Sequence, residues 1–397
     1  MTKMVRCNYC RKEKPAEEFS EEHIIPQFMG GSSECSAAIT RDVCRACNTV
    51  LGRHVDAAVA KGFFMNGTES GAWRACFDFD ANNGNVFPFI YLGKCTELQC
   101  AEGEEVEAWL GPDGGVAYHF HKSRAEDFDT FAGGDPLARR KDLGSRVYLF
   151  QASVVPYWLL SNLISAPVHF KEEPIFVGAD SNLEEIFPTE RKKGTLCRKD
   201  AMAIAELDQI RQLLDRGGVI QHALKLDTLF DVRFLAKLAI AFGHKLFGEK
   251  FGALNYTDQL RTLLWTRRAK LNPEEHQLKM RSYFNGLQDH SMKPFSFPLG
   301  FAFIFKYVEG NVVLAIVFPS GHLVQVSLTD KTADPNFDVS AHSFEEHVFI
   351  AVPQLGKTVG PIKLHEYVLW VIGSHRIEGL DAIKARMTPR TQLPQLR

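Results

Sequence analysis

Cys7 and Cys10 form one pair and Cys44 and Cys47 a second; Glu22 and His23 lie between them, and Asn48 follows the last cysteine directly. Two-residue gaps let both sulfurs of each pair reach a single ion, so the four thiolates complete a closed tetrahedral shell suited to structural zinc. Buried unligated thiols and disulfides are the alternatives, and paired spacing around so small a unit disfavours both. A carboxylate, a histidine and an asparagine carbonyl offer different chemistry. Together they make an open, harder site suited to Mg2+ or Mn2+.

These motifs carry a family resemblance. The first Cys-x-x-Cys, the run Glu22-His23-Ile24-Ile25-Pro26 with Gly30-Gly31 after it, the second Cys-x-x-Cys with Asn48, and Leu51-Gly52 resemble the HNH endonuclease superfamily. The likeness is to the branch with four zinc-binding cysteines, and it covers residues 1 to about 66. It implies a ββα-metal unit with one catalytic divalent cation, Mg2+ or Mn2+. It also implies His23 as general base, Glu22 and Asn48 as ligands of that cation, and Cys7, Cys10, Cys44 and Cys47 around zinc.

Phosphodiester hydrolysis explains the residue types. A neutral imidazole near physiological pH takes a proton from water, and a hard cation stabilises charge developing on the phosphate and leaving oxygens. Neighbouring strand residues point to opposite faces, which keeps His23 off the ion that Glu22 binds. The position that carries an orienting Asn or His in many relatives falls on Ile39, beside Thr40. A backbone carbonyl or Thr40 is therefore expected to orient the base. Asp56 lies eight residues past Asn48, an axial rise of about 12 Å on a continuous α-helix. It is expected outside the ligand shell, in a supporting or helix-surface position, with His54 solvated.

The 397 residues are 45% hydrophobic and 24% charged, which fits an ordinary soluble protein of two or three domains. No apolar run approaches the length needed to span a bilayer, and no apolar signal region opens the chain. A reducing cytoplasm, without membrane association, is the expected compartment. Net charge is −2, although basic clusters occur at 139–141, 191–193 and 267–270. No Walker A motif and no GxGxxG after a strand is present, so nucleotide hydrolysis and dinucleotide cofactors are not indicated. His119 and His121 share one strand face, but with no third ligand in view they read as strand-surface residues. Cys95 and Cys100 read as reduced core residues.

The elements around these residues predict an α+β chain in four parts: the zinc-stabilised head at 1–66, a mostly β region at 67–198, a helical region at 199–290, and a β-meander with a tail at 291–397. Strands are expected at 87–92, 106–110, 116–120 and 147–155, with a hairpin across 111–115, and extended structure at 167–177 after a short helix at 157–165. Helices are expected at 201–216 and along 230–246, the second with one apolar face through Phe230, Phe234, Leu235, Leu238, Phe242 and Leu246. Thr257 is expected to cap another, and a further start falls at 272–275. The meander takes in 301–309, 312–319, 322–328 and 346–352. Residues 67–397 are expected to fold without the head, as one recognition or sensor module.

Two function classes follow. One is a metal-dependent endonuclease, acting most readily on double-stranded DNA, whose larger part recognises a nucleotide-like ligand or a protein partner. A restriction or anti-phage defence context is implied by analogy, RNA remains open as a substrate, and a homo-oligomer is compatible with this reading. The other is a zinc-ribbon nucleic-acid-binding or interaction protein whose nuclease site has decayed.

Overall fold

The computed structural model describes residues 3–60, 89–112, 114–122, 145–150, 162, 165–167, 169–170, 175–177, 201–215, 220–223, 229–267, 270, 279–283 and 290–386. The chain is α+β, and its described residues fall into two compact units, 3–60 with 229–386 and 89–223. The expected helix start at 272–275, the basic clusters at 139–141 and 191–193, Cys76, Cys197 and the tail after residue 387 lie outside the described residues.

The chain opens with β1 (Met4–Arg6) and β2 (Glu13–Pro15), an antiparallel pair with Val5 opposite Lys14. Cys7 and Cys10 sit in the tight connection between them, where the Cys7 carbonyl accepts the Arg11 N–H at 2.9 Å. Next, β3 (Phe19–His23) pairs antiparallel with β4 (Ile39–Cys44), placing Phe19 opposite Cys44 and His23 opposite Ile39. A bulge opposite Glu21, between the Ser20–Val43 and Glu22–Thr40 pairs, adds one residue to β4, and such bulges re-aim the side chains around them. The strand β4 runs directly into α1 (Arg45–Leu51), with Cys44 extended at the helix N-cap. A five-residue π turn, Gly52–Asp56, and α2 (Ala57–Ala60) continue the helix. Gly31 packs so tightly on the Ile25 carbonyl that a Cβ would overlap it. Only glycine fits there, which accounts for the glycine pair after Pro26.

The second unit is a six-stranded sheet. Its strands are β5 (Ile90–Cys95), β6 (Glu104–Leu110), β7 (Val116–Lys122), β8 (Arg146–Phe150), β9 (Ile175–Val177) and β10 (His222–Ala223). They lie in the order β10-β5-β6-β7-β8-β9, all antiparallel except β8 with β9. Alternation along the strands gives two buried faces. One, with Val106, Ala108, Tyr118, Phe120 and Tyr148, packs against Ile210, Leu207 and Leu213 of α3 (Ala201–Asp215). The other gathers Phe89, Tyr91, Trp109, Ala117, Val147, Leu149, Ala166 and Phe170. The hairpin turns at Gly111–Gly115 as expected, with the Gly111 N–H donating to the Gly115 carbonyl at 2.7 Å. Residues 165–167 and 169–170 are helical, and among the described residues of this stretch the extended structure is β9. Cys95 is buried as expected, but Cys100 is exposed and is not a core residue.

The first unit resumes with α4 (Val232–Phe247), α5 (Glu249–Gly252) and α6 (Asn255–Trp265). A second six-stranded sheet follows, made of β11 (Met280–Arg281), β12 (Phe301–Val308), β13 (Asn311–Val317), β14 (Leu323–Ser327), β15 (His347–Val352) and β16 (Lys357–Lys363). Its order is β11-β14-β13-β12-β15-β16, antiparallel throughout. The meander is therefore the one expected from sequence, with β15 joining it beside β12. Two helices not expected from the sequence, α7 (Leu364–Val371) and α8 (Glu378–Arg386), follow β16, and their Tyr367, Leu380 and Ile383 enter the core of this sheet.

Two expectations for the helices change. Every residue of α4 from Val232 to Gly243 is buried, charged Arg233 and Lys237 included, so the helix is a central element and not an amphipathic one. The N-terminus of α6 is capped from a distance: the Asp334 carboxylate accepts the N–H groups of Asn255 and Tyr256, both at 2.9 Å. Thr257 lies inside the helix, and its hydroxyl donates to the Phe251 carbonyl at 2.8 Å. Asp334→Ala is expected to destabilise the protein by about 1 kcal/mol, the usual cost of a lost cap. Thr257→Ala removes no capping acceptor, so comparing the urea midpoints of both variants with wild type checks the assignment.

Candidate active site and metal centre

Four sulfurs come together first. Cys7 and Cys10 from the β1–β2 connection meet Cys44 and Cys47 from the β4–α1 junction, with all four Sγ atoms within 4.8 Å of one another. The hydrogen bond with Cys47 holds the Cys7 thiol far below its ordinary value, at about 4, while the same contact pushes Cys47 up. Four crowded thiols cannot all ionise without a cation between them, and metal binding is what releases their protons. The cluster fits structural zinc. Cys44→Ser is expected to lose about one zinc per chain by elemental analysis. Equal zinc in the two proteins would remove the site.

Glu22 and His23 end β3, next to the bulge. Glu22 is buried and His23 half-buried. Asn48, one turn into α1, is fastened to the same strand: its amide NH2 donates to Ser20 Oγ at 3.0 Å and to the Glu21 carbonyl at 3.1 Å. With the nitrogen so engaged, Asn48 Oδ1 is the atom left to act as a donor toward a cation.

The Glu22 carboxylate meets a partner that the sequence reading did not single out. Lys237 Nζ, on α4, lies 2.7 Å from Glu22 Oε1 and 2.6 Å from Asp56 Oδ2. The contact to Asp56 is a hydrogen bond, whereas the one to Glu22 is an ion pair without hydrogen-bond alignment. Burial opposes the Lys237 charge, but the two carboxylates outweigh it and hold its pKa above the usual lysine value. Burial also raises the Glu22 carboxyl, and Lys237 offsets that only in part. Beside them, burial and the two carboxylates push the Tyr9 hydroxyl well above its ordinary pKa.

Asp56 is thus an ion-pairing residue turned inward, with a side chain 17% exposed, and not a helix-surface group. The helix is not a continuous α-helix between Asn48 and Asp56, because the π turn changes the spacing on which the axial-rise argument rested. His54 is half-buried and not fully solvated. The expected orienting partner of His23 is also missing: its Nδ1 is buried without a hydrogen bond, while Thr40 Oγ1 accepts the Asp42 N–H at 3.2 Å.

The donor set suits a hard cation. Two carboxylates around one ammonium leave one negative charge uncompensated, and Asp56 Oδ1 is buried with no donor. Alongside β4 runs a groove of about 1270 Å3, bordered by Ile39 and Thr40 and by six cationic side chains (Lys3, Arg6, Arg11, Arg41, Lys245 and Lys250) against four acids (Glu13, Glu21, Asp42 and Glu249). Several of these charges are already paired, Arg6 with Glu13 at 2.6 Å and Arg41 with Glu21 at 3.3 Å.

A signal for Lys237 was present in the sequence. It falls three residues after Phe234, on the flank of the apolar stripe of α4, where an unpaired charge is costly. Among the described residues, no helix is long and apolar enough to cross a membrane. No curated protein and no solved structure matches the chain. Residues 7–64 match the family model described as HNH endonuclease, and the four clustered cysteines within that segment fit a zinc-binding unit of this kind.

Proposed function

We infer that the chain is a divalent-metal-dependent endonuclease that hydrolyses phosphodiester bonds, with double-stranded DNA as its substrate. What supports this reading is that Asn48 is hydrogen-bonded, through Ser20 Oγ and the Glu21 carbonyl, to the strand that bears Glu22 and His23. His23 acts as general base toward water. Glu22 and Asn48 hold Mg2+ or Mn2+, which supplies positive charge to the scissile phosphate when bound. Lys237 fixes the Glu22 carboxylate, and the zinc-bound cysteines keep the strand-to-helix junction in place. The basic side of the groove along β4 offers a path for the phosphate backbone.

The remainder of the chain serves recognition, of the substrate or of a nucleotide-like or protein signal, in a cytoplasmic restriction or anti-phage role. Purified protein incubated with plasmid, linear duplex and RNA, with and without Mg2+ or Mn2+, tests the activity and its substrate. One observation favours the alternative of a decayed nuclease retained as a zinc-ribbon binding protein: His23 Nδ1 has no orienting partner. Inert protein under every metal and substrate would select that reading. Activity only after addition of a small molecule or partner would select gating.

A further inference from the structure

The hairpin of β6 and β7 brings Glu107 directly opposite His119, and Glu105 directly opposite His121. All four residues therefore share one face of the sheet with Trp109 and Ala117. Glu107, His119 and His121 are buried. Each offers a ligand atom, and those atoms lie within 4.8 Å of one another. We propose that Glu107, His119 and His121 hold a divalent transition-metal ion in the second unit, separate from the four-cysteine site.

Geometry supports this in three ways. His121 Nε2 lies 3.4 Å from Glu107 Oε2. Two donors at bond lengths of about 2.0–2.2 Å on a tetrahedral ion stand about 3.3 Å apart, so this pair already has the edge length of a shell. The other nitrogen of His121, Nδ1, lies 3.0 Å from the Lys122 carbonyl. An Nδ1–H donating there leaves the Nε2 lone pair directed at the cluster, as metal-ligating histidines commonly arrange. Finally, Glu107 has no lysine or arginine partner among the described residues, although a buried carboxylate needs a counter-charge. Glu105 is differently placed. It is ion-paired to Lys94, and its Oε1 is 3.8 Å from His121 Nε2.

The ligand types select the ion. Two imidazoles and one carboxylate suit Zn2+, Fe2+ or Mn2+ over Ca2+ or Mg2+. Three protein ligands leave at least one position for water or an exogenous oxygen donor. Tyr91, Trp109 and Phe170 form the surrounding aromatic wall, with Phe170 5.3 Å from the His119 ring. An apolar shell of this kind limits solvent access to a bound ion.

The test is metal content of the full chain after loading with Zn2+, Fe2+ or Mn2+ and desalting. Wild type is expected to retain about one ion more than the His119→Ala/His121→Ala double variant, while both keep the cysteine-bound zinc. Glu107→Gln is expected to weaken retention without changing the circular dichroism spectrum. Should a variant fail to fold, Co2+ titration of the zinc-replete wild-type protein decides. Weak d–d bands without thiolate charge transfer that persist in excess Mg2+, which competes for the oxygen ligands Glu22 and Asn48, support the site. Equal metal content in wild type and folded variants, or no Co2+ bound beyond the thiolate site, would leave a buried His121–Glu107 ion pair and overturn the proposal.

Discussion

His23→Ala is expected to lower the rate of phosphodiester cleavage by about 10²- to 10⁴-fold, the usual cost of removing a general base. Fold and zinc content should not change, because the half-buried ring makes no hydrogen bond through Nδ1 that the fold depends on. Glu22→Ala and Asn48→Ala should behave differently. Both remove ligands and not the proton acceptor, so excess Mn2+ should restore part of their activity, while His23→Ala stays inactive. Glu22→Ala also leaves Lys237 with Asp56 alone, so its stability has to be measured alongside its rate. Cleavage assays across a Mn2+ series, with zinc analysis of each protein, separate these outcomes. Undiminished activity of His23→Ala would remove the base assignment.

Lys237→Met should be the most destabilising single change at the site. The methionine matches much of the lysine volume but leaves Glu22 and Asp56 buried without a counter-ion, and breaking a buried pair from one side costs about 3–5 kcal/mol. Urea unfolding should show a lower midpoint at unchanged slope. Combining Lys237→Met with Glu22→Gln and Asp56→Asn should recover most of the loss, because the carboxylate charges are then gone as well. If Lys237→Met unfolds at the wild-type midpoint, the ammonium is not balancing those charges. The same physics bears on truncation. A fragment of residues 67–397 strips Lys237 of both partners. It also removes the Asn8 and Tyr9 carbonyls that accept from Arg261 and Trp265, each at 3.1 Å, and the Gly30 carbonyl that accepts from Thr358 at 2.8 Å. Such a fragment is expected to be less stable than the whole chain, although the sequence alone suggests an independent module.

Local pattern carried the sequence reading a long way. The Cys-x-x-Cys pairs, the Glu22-His23 step and Asn48 are specified by spacings of a few residues, and ligand spacing within one turn or loop survives any tertiary arrangement. Periodicity likewise located α3, α4 and the meander from β12 to β15, since alternation and a 3.6-residue repeat are properties of single elements. A cap supplied from outside the helix was not legible. Asp334 reaches α6 from 78 and 79 residues away, so the local candidate, Thr257, was the one sequence could offer.

What remained to tertiary structure was the company each charged group keeps. Asp56 and Lys237 are 181 residues apart and meet only because α4 is buried beside the head. The π turn that rotates Asp56 inward leaves no mark that a regular helical repeat can reveal. Glu107 shows the intermediate case. The hairpin at 111–115 was visible, and pairing Leu110 with Val116 carries Glu107 opposite His119 three steps along each strand. The sequence shows the histidine pair without a third ligand, because register, not composition, brings Glu107 to it. The sequence determines which groups are available and how neighbours along the chain are spaced. The fold alone decides which distant charges are buried together, because the cost of leaving any one of them unpaired is set by its surroundings and not by its neighbours in sequence.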